Sequence, residues 1–287
     1  PEGMNRVFFT NGGADAIENA IRMARLHAAA KGEVGREKVL STYRSYHGNT
    51  GAAIVATGDW RRIPNEYARG HVHFFGPYLY RSEFWATTPE EESARALHHL
   101  ERVIQAEGPA SIAALLLESV PGTAGVLLPP PGYLAGVRAL ADRYGILLIL
   151  DEVMAGFGRT GRWFAFDGYD VVPDLITFAK GVNSGYVPVG GVIISDEIAA
   201  TSDERVFPGG LTYSGHPLAA ASIIAALDAM ESEGIVDNAR RMGAEAIGPG
   251  LVALAEKHEV IGEVRGEGVF WALELVTDRE TREPLPA

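Results

Sequence analysis

Leu147-Leu148-Ile149-Leu150-Asp151-Glu152-Val153 is the stretch on which the fold turns. An apolar run this short, closing on acidic residues, reads as a strand buried on both faces of a parallel sheet. Leu175-Ile176-Thr177-Phe178-Ala179-Lys180-Gly181 has the same form but closes on an amine. Ligands of such sheets sit just beyond the carboxyl ends of the strands. The two runs therefore set Asp151 and Lys180 at one sheet mouth, where a carboxylate and an amine can act on one small molecule. Glu118 closes a third run, residues 113–117. One charged strand end is commonplace, whereas three on adjacent strands favour a site.

Working outward, the chain alternates strand and helix. Residues 6–10, 39–43, 71–75 and 189–195 read as further strands. Residues 14–30 read as a helix with Ile17, Ile21, Ala24 and Ala28 on one face, and residues 90–107 as a helix with an acidic first turn, which the helix dipole favours. Residues 132–144 show Leu134, Val137, Leu140, Ala141 and Tyr144 in helical period, closed by Gly145. Alternation of this kind predicts an α/β fold, three-layered, with a mainly parallel sheet. From residue 216 to about 258 the pattern turns helical, with a break at Glu233-Gly234, and a last strand follows over residues 269–275. The division expected is a large domain over residues 1–230, then connecting helices and the start of a smaller, incomplete α+β domain over 231–287. Both chain ends read as cut, so the sequence is expected to be part of a longer polypeptide.

Several motifs admit a functional and a bland reading. Asn11-Gly12-Gly13-Ala14-Asp15 lies between a strand and a helix, where small residues let backbone N–H groups close on a phosphate. The alternative is a tight turn capped by Asn11. Tyr46-His47-Gly48 follows a strand end; its ring can stack on a flat cofactor, or the pair is an ordinary loop. Gly156-Phe157-Gly158-Arg159-Thr160-Gly161 has the letters of a dinucleotide fingerprint, but it neither follows its strand directly nor opens a helix, so it reads as a glycine-rich loop. His98-His99 has no ligand-like spacing, and the lysine at the neighbouring strand end argues against a metal at Asp151-Glu152. An imine-forming lysine with an acidic partner for a protonated pyridine ring is what pyridoxal phosphate needs.

Composition narrows the classes. The 287 residues are 47% hydrophobic and 22% charged, too apolar for disorder and long enough for a large core. A net charge of −12 with no basic run disfavours nucleic acid. The absence of Cys excludes disulfides, thiolate nucleophiles and Cys-based metal sites. No apolar run approaches the ~18 residues of a membrane span and no signal peptide is visible, so a cytoplasmic enzyme is the expectation.

Taken together, Leu150-Asp151-Glu152-Val153 with Gly156–Gly161, Phe178-Ala179-Lys180-Gly181, and Thr212-Tyr213-Ser214-Gly215-His216-Pro217 resemble, in order and spacing, the class III aminotransferases, the ω-amino-acid branch of the fold-type I pyridoxal phosphate enzymes. The resemblance covers nearly all of the chain. It implies that Lys180 carries the imine link to the cofactor and later shuttles a proton, and that Asp151 pairs with the pyridine nitrogen. It further implies a phosphate held by backbone N–H groups of Gly13 and Ala14, and a cofactor ring between Tyr46, with His47 beside it, and Val153. By the same resemblance Glu118 would orient the network around Asp151, and Thr212 would reach the phosphate of the neighbouring subunit in a homodimer.

The family's phosphate turn usually reads Ser-Gly-Ser-Glu-Ala, and here it is Gly12-Gly13-Ala14-Asp15-Ala16, so backbone donors carry more of the anion. Gly209 stands where a His is common. The expected reaction is a ping-pong transamination from an amine or ω-amino acid, taurine- or β-alanine-like, to a 2-oxo acid, foremost pyruvate. The alternatives are a glutamate-1-semialdehyde aminomutase, a dialkylglycine decarboxylase, or a truncated module that binds cofactor or partner without turnover.

Overall fold

The computed structural model describes residues 1–65, 68–203 and 206–286. In chain order its elements are β1 (Arg6–Thr10), α1 (Gly13–Ala30), β2 (Lys38–Thr42), α2 (Gly51–Ala56), β3 (His71–Phe74), α3 (Pro89–Glu107), β4 (Ile112–Glu118), α4 (Tyr133–Tyr144), β5 (Leu147–Asp151), β6 (Leu175–Phe178), β7 (Gly190–Ile194), α5 (Asp196–Ala200), α6 (Pro217–Ser232), α7 (Ile235–Met242), α8 (Gly248–Lys257), β8 (Ile261–Glu267), β9 (Phe270–Asp278) and β10 (Glu283–Pro284). Seven strands form one sheet in the order β1-β7-β6-β5-β4-β2-β3. β3, β2, β4, β5 and β6 pair in parallel, and β7 runs antiparallel to both β6 and β1. The mainly parallel sheet read from the sequence is present.

The three layers follow from strand periodicity. Side chains alternate across a strand, and along β4 and β5 both faces are apolar. Leu115, Leu117, Leu148 and Leu150 pack with Leu100 and Ile104 of α3 and Val137 and Ala141 of α4. Ala114, Leu116 and Ile149 face the other way, onto Ile17, Ile21 and Ala24 of α1. The helices are bounded by recognisable signals. The Thr88 hydroxyl accepts the Glu91 N–H at 3.2 Å, Pro89 opens α3, and Glu90, Glu91 and Glu92 fill its first turn. Gly145, left-handed at φ 62°, closes α4.

Three expectations needed adjustment. The run ending at Val153 leaves the sheet at Asp151, because the Val153 N–H turns back onto Asp151 Oδ1 at 3.0 Å. The helical stretch after residue 216 breaks at left-handed Gly234, as expected, but its second half contains a π-helical turn, Gly243–Ile247. A Cβ on Gly243 would lie 2.0 Å from the Gly268 carbonyl oxygen, so the helix packs there directly on backbone. The strand expected over residues 269–275 is the longer β9, which pairs antiparallel with β8 and with the short β10, neither of which was anticipated. Ile261-Gly262-Glu263-Val264-Arg265-Gly266-Glu267 carries too many polar residues and glycines to read as a strand from its own letters. Among the described residues no helix is long and apolar enough to cross a membrane.

Leu116 lies wholly buried in the middle of the α1-facing layer. Leu116→Ala should lower the free energy of unfolding by about 2–5 kcal/mol, the usual cost of emptying a packed leucine site. Urea denaturation followed by circular dichroism measures it.

Candidate active site

The parallel register sets Glu118 of β4 beside Asp151 of β5, and Asp151 beside Thr177 of β6. Alternation then decides which way each carboxylate points. Glu118 shares the face of Ala114 and Leu116, and Asp151 that of Ile149, so both turn to the α1 side of the sheet. Glu152 falls on the opposite side, wholly buried, where its carboxylate accepts the Ala165 and Phe166 N–H groups at 2.9 and 3.1 Å. Burial pushes its pKa up to about 7. It is a structural acid beneath the loop after Trp163, and the Asp151-Glu152 pair is split between two environments.

On the α1 side a cleft of about 380 Å³ is lined by Gly13, Ala14, Tyr46, His47, Glu118, Asp151, Val153 and Lys180, with Thr123 and Met154 on its wall. Eight of the nine positions singled out from the sequence thus border one cavity. The ninth, Thr212, is exposed and lies outside this cleft, in the turn before α6. Lys180 comes two residues after β6, at the start of a tight 3-10 turn, with φ at 42°. A left-handed backbone is uncommon for a residue with a side chain and is stored preferentially at functional sites.

Asp151 is almost fully buried, and its Oδ2 lies 2.8 Å from His47 Nδ1. With Val153 N–H on Oδ1, both oxygens are held before any ligand arrives. The His47–Asp151 pairing is the contact that sequence reasoning missed: it joins a loop to the end of β5, and only the shared cavity in which Tyr46-His47 was placed hinted at it. Glu118 is held in the same manner, accepting Tyr46 N–H on Oε1 and Gly122 N–H on Oε2, each at 2.9 Å. Burial pushes its pKa up to about 7, with the Asp151 charge adding to the rise and the two N–H donors opposing it.

At the N-terminus of α1 the first intrahelical bond is Ala16 N–H to Gly12 O at 3.1 Å, so the N–H groups of Gly13, Ala14 and Asp15 have no helical acceptor. A Cβ on Gly13 would stand 2.8 Å from Val153 Cγ1, and one on Gly48 2.6 Å from the Ala14 Cβ. Glycine at both places keeps the backbone donors open to the cavity. The open N–H groups at the α1 N-terminus, the Tyr46 and Val153 side chains, the Asp151 carboxylate and the Lys180 amine would suit the phosphate, flat ring, ring nitrogen and aldehyde of pyridoxal phosphate. Among the described residues no group of three or more His, Cys, Asp or Glu is placed to hold a metal ion.

Comparison with known proteins gives the same reading at the level of family. A family model described as "Aminotransferase class-III" matches residues 1–286. The chain is 39% identical to a putrescine–pyruvate aminotransferase of Pseudomonas aeruginosa over 99% of its own length and 62% of that protein's. It is 34% identical to a taurine–pyruvate aminotransferase of Bilophila wadsworthia, covering 99% of this chain and 63% of that one. Among solved structures it superposes on a taurine:2-oxoglutarate aminotransferase from Bifidobacterium kashiwanohense, in complex with PLP and glutamate, with a TM-score of 0.93 and 49% identity, over 98% of this chain and 62% of the other. An amine transaminase from an uncultivated Pseudomonas species, in its PLP-bound form, gives a TM-score of 0.95 at 40% identity, over 99% and 65%. The chain belongs to the class-III aminotransferase family. It spans about 62% of the length of the curated relatives it matches.

Glu118 carries a sign-definite pH effect. Its folded pKa of about 7 exceeds the ordinary carboxyl value of 4.5, so between those pH values the folded state binds more protons and stability falls as pH rises. The stability of the wild type relative to Glu118→Gln should therefore decline between about pH 5 and about pH 8 and be flat below that window. Urea unfolding of both proteins across this range, taken as a difference, cancels the similar contribution of Glu152. A difference that does not vary with pH would show that Glu118 is not buried as an acid.

Proposed function

We propose that the protein containing this chain is a pyridoxal phosphate-dependent aminotransferase that moves an amino group from an amine or ω-amino acid to a short 2-oxo acid in a ping-pong cycle. The observation that carries this reading is the convergence of the Lys180 amine, the buried Asp151 carboxylate and the open N-terminus of α1 on one cleft. Pyridoxal phosphate, when bound, supplies an electrophilic aldehyde and a pyridinium ring that draws electrons from the substrate carbon. The chain's own groups do the rest. The N–H groups of Gly13 and Ala14 bind the phosphate, aided by the helix N-terminus. Asp151, held by His47 and the Val153 N–H, is the fixed negative charge that keeps the ring nitrogen protonated. Glu118 holds the backbone of Tyr46, and Tyr46 and Val153 flank the ring. Lys180 would hold the cofactor through its side-chain amine and would carry the proton at Nζ.

Thr212 faces outward from its own chain, which suits a donor offered to the phosphate of a second copy, so we read the working unit as a homodimer. We also read residues 1–230 as the cofactor domain and residues 231–287 as the beginning of the smaller one. For the donor, relatives named for taurine and putrescine support a primary amine on a short chain. For the acceptor, pyruvate is the first reading. The 49% identical relative named for 2-oxoglutarate favours that acid as the second, and stoichiometric consumption of one or the other by full-length protein separates them. Release of carbon dioxide, or no need for an acceptor, would instead point to a decarboxylase or an aminomutase.

Borohydride treatment of the holoprotein should fix a pyridoxyl group on Lys180, and Lys180→Ala should abolish transamination while retaining phosphate and ring contacts. Peptide mapping of the adduct to Lys31, Lys38 or Lys257 would sink the assignment.

Asp151→Asn keeps the shape and removes the charge. Preorganised electrostatic partners supply about 3–4 kcal/mol, so turnover should fall on the order of a hundredfold or more. Cofactor affinity should fall less, by the ~1.5–3 kcal/mol of one charged hydrogen bond. Steady-state kinetics beside a cofactor titration separates the two, and near-normal turnover would leave Asp151 a merely structural acid.

A further inference from the structure

Arg61 lies in the 3-10 turn Trp60–Asn65, and its guanidinium carbon stands 4.1 Å from the centroid of the Tyr46 ring. The other described arginine–ring pairs in this chain are looser, at 4.8–5.4 Å. Asp59 holds the guanidinium from the far side: Arg61 Nε donates to Oδ1 and Oδ2 at 3.0 and 2.9 Å, Nη2 also donates to Oδ2, and the Arg61 backbone N–H donates to Oδ1 at 2.9 Å. A fork seated this way has little rotational freedom left. Tyr46 is consequently held at two points, its backbone N–H by Glu118 and its ring by Arg61. Tyr46 borders the cleft, and Arg61, which touches its ring, does not.

We propose that Arg61, anchored by Asp59, is a positioning residue for the cofactor: it fixes the plane of the Tyr46 ring so that the cleft-side face is set for stacking before the pyridine ring enters. The inference rests on reading the cleft as the pyridoxal phosphate site. The Tyr ring otherwise turns over a broad torsional range, and ordering it beforehand removes part of the cost that binding would have to meet. The cation also gives the ring one preferred arrangement, since attraction is to the face and not the edge.

The test uses full-length apoprotein titrated with pyridoxal phosphate, with visible circular dichroism of the bound cofactor as an orientation readout. Arg61→Met should raise the dissociation constant about two- to fivefold, the size of a partly exposed cation–ring contact. It should also alter the visible dichroism per bound cofactor and leave the melting temperature of the apoprotein unchanged. Arg61→Lys, which keeps the charge without the fork, should recover part of the loss. In a Tyr46→Leu background, Arg61→Met should have no further effect. Wild-type affinity and dichroism in Arg61→Met, with weakened binding in Tyr46→Leu, would overturn the proposal and leave the cleft assignment standing. An equal loss in both backgrounds, or one that tracks a lowered apoprotein melting temperature, would overturn it as well. Failure of the unmutated protein to take up cofactor would overturn the cleft assignment and the proposal with it.

Discussion

The register between β4 and β5 is the constraint on which the site depends. Because strand side chains alternate with a period of two, the pairing that sets Glu118 opposite Asp151 also sends both carboxylates to the α1 side. A slip of one residue would move either acid into the apolar layer under α3 and α4. Leu115, Leu117, Leu148 and Leu150 on one side and Ala114, Leu116 and Ile149 on the other make that slip costly, since every one of them would change environment. The packing of the core and the aim of the two carboxylates are one decision, taken by the same apolar residues. The irregularity between Lys38 and Val39 in the pairing of β2 with β4 lies at the opposite end of the strand, where it does not disturb this alignment.

Much of this was legible in the letters. Apolar runs closing on Asp151 and Lys180 identified the sheet and its mouth, because strands buried on both faces leave continuous apolar runs. The small residues at Gly12-Gly13-Ala14 marked the turn whose N–H groups open on the cleft. What stayed hidden is non-local. Nothing near His47 in sequence says that its imidazole will meet Asp151, since that contact depends on where the loop after β2 comes to lie against the end of β5. β8 was invisible for another reason: its strand character comes from pairing with β9 and from Arg265, which donates to the Gly125 carbonyl at 2.6 Å and pairs with Glu263 and Glu274. The short helix α2 and the turn carrying Arg61 leave no periodicity long enough to read.

The acids of the site illustrate how burial and hydrogen bonding divide labour. Glu118 and Glu152 are both wholly enclosed and both pushed up to about 7, yet each accepts two backbone N–H groups. Those donors fix the local backbone: Tyr46 and Gly122 for Glu118, Ala165 and Phe166 for Glu152. Each carboxyl thus serves as a rivet between a strand end and a loop. Asp151 gives one oxygen to a backbone N–H and faces a side chain with the other, which makes it the acid whose surroundings are shaped around the cavity and not around a loop.

The place of β1 has a consequence for how the protein comes into being. β1 leads directly into the Gly12-Gly13 turn and α1, yet its strand partner is β7, paired from Arg6–Ile194 to Thr10–Gly190. A nascent chain emerging from the ribosome must therefore carry an unpaired β1 until residues near 190 have been made. Long-range closures of this sort are slow and leave strand edges exposed in the interval. The turn between β1 and α1 is therefore fixed against the sheet only after β7 has been made, so the cleft it borders takes shape late.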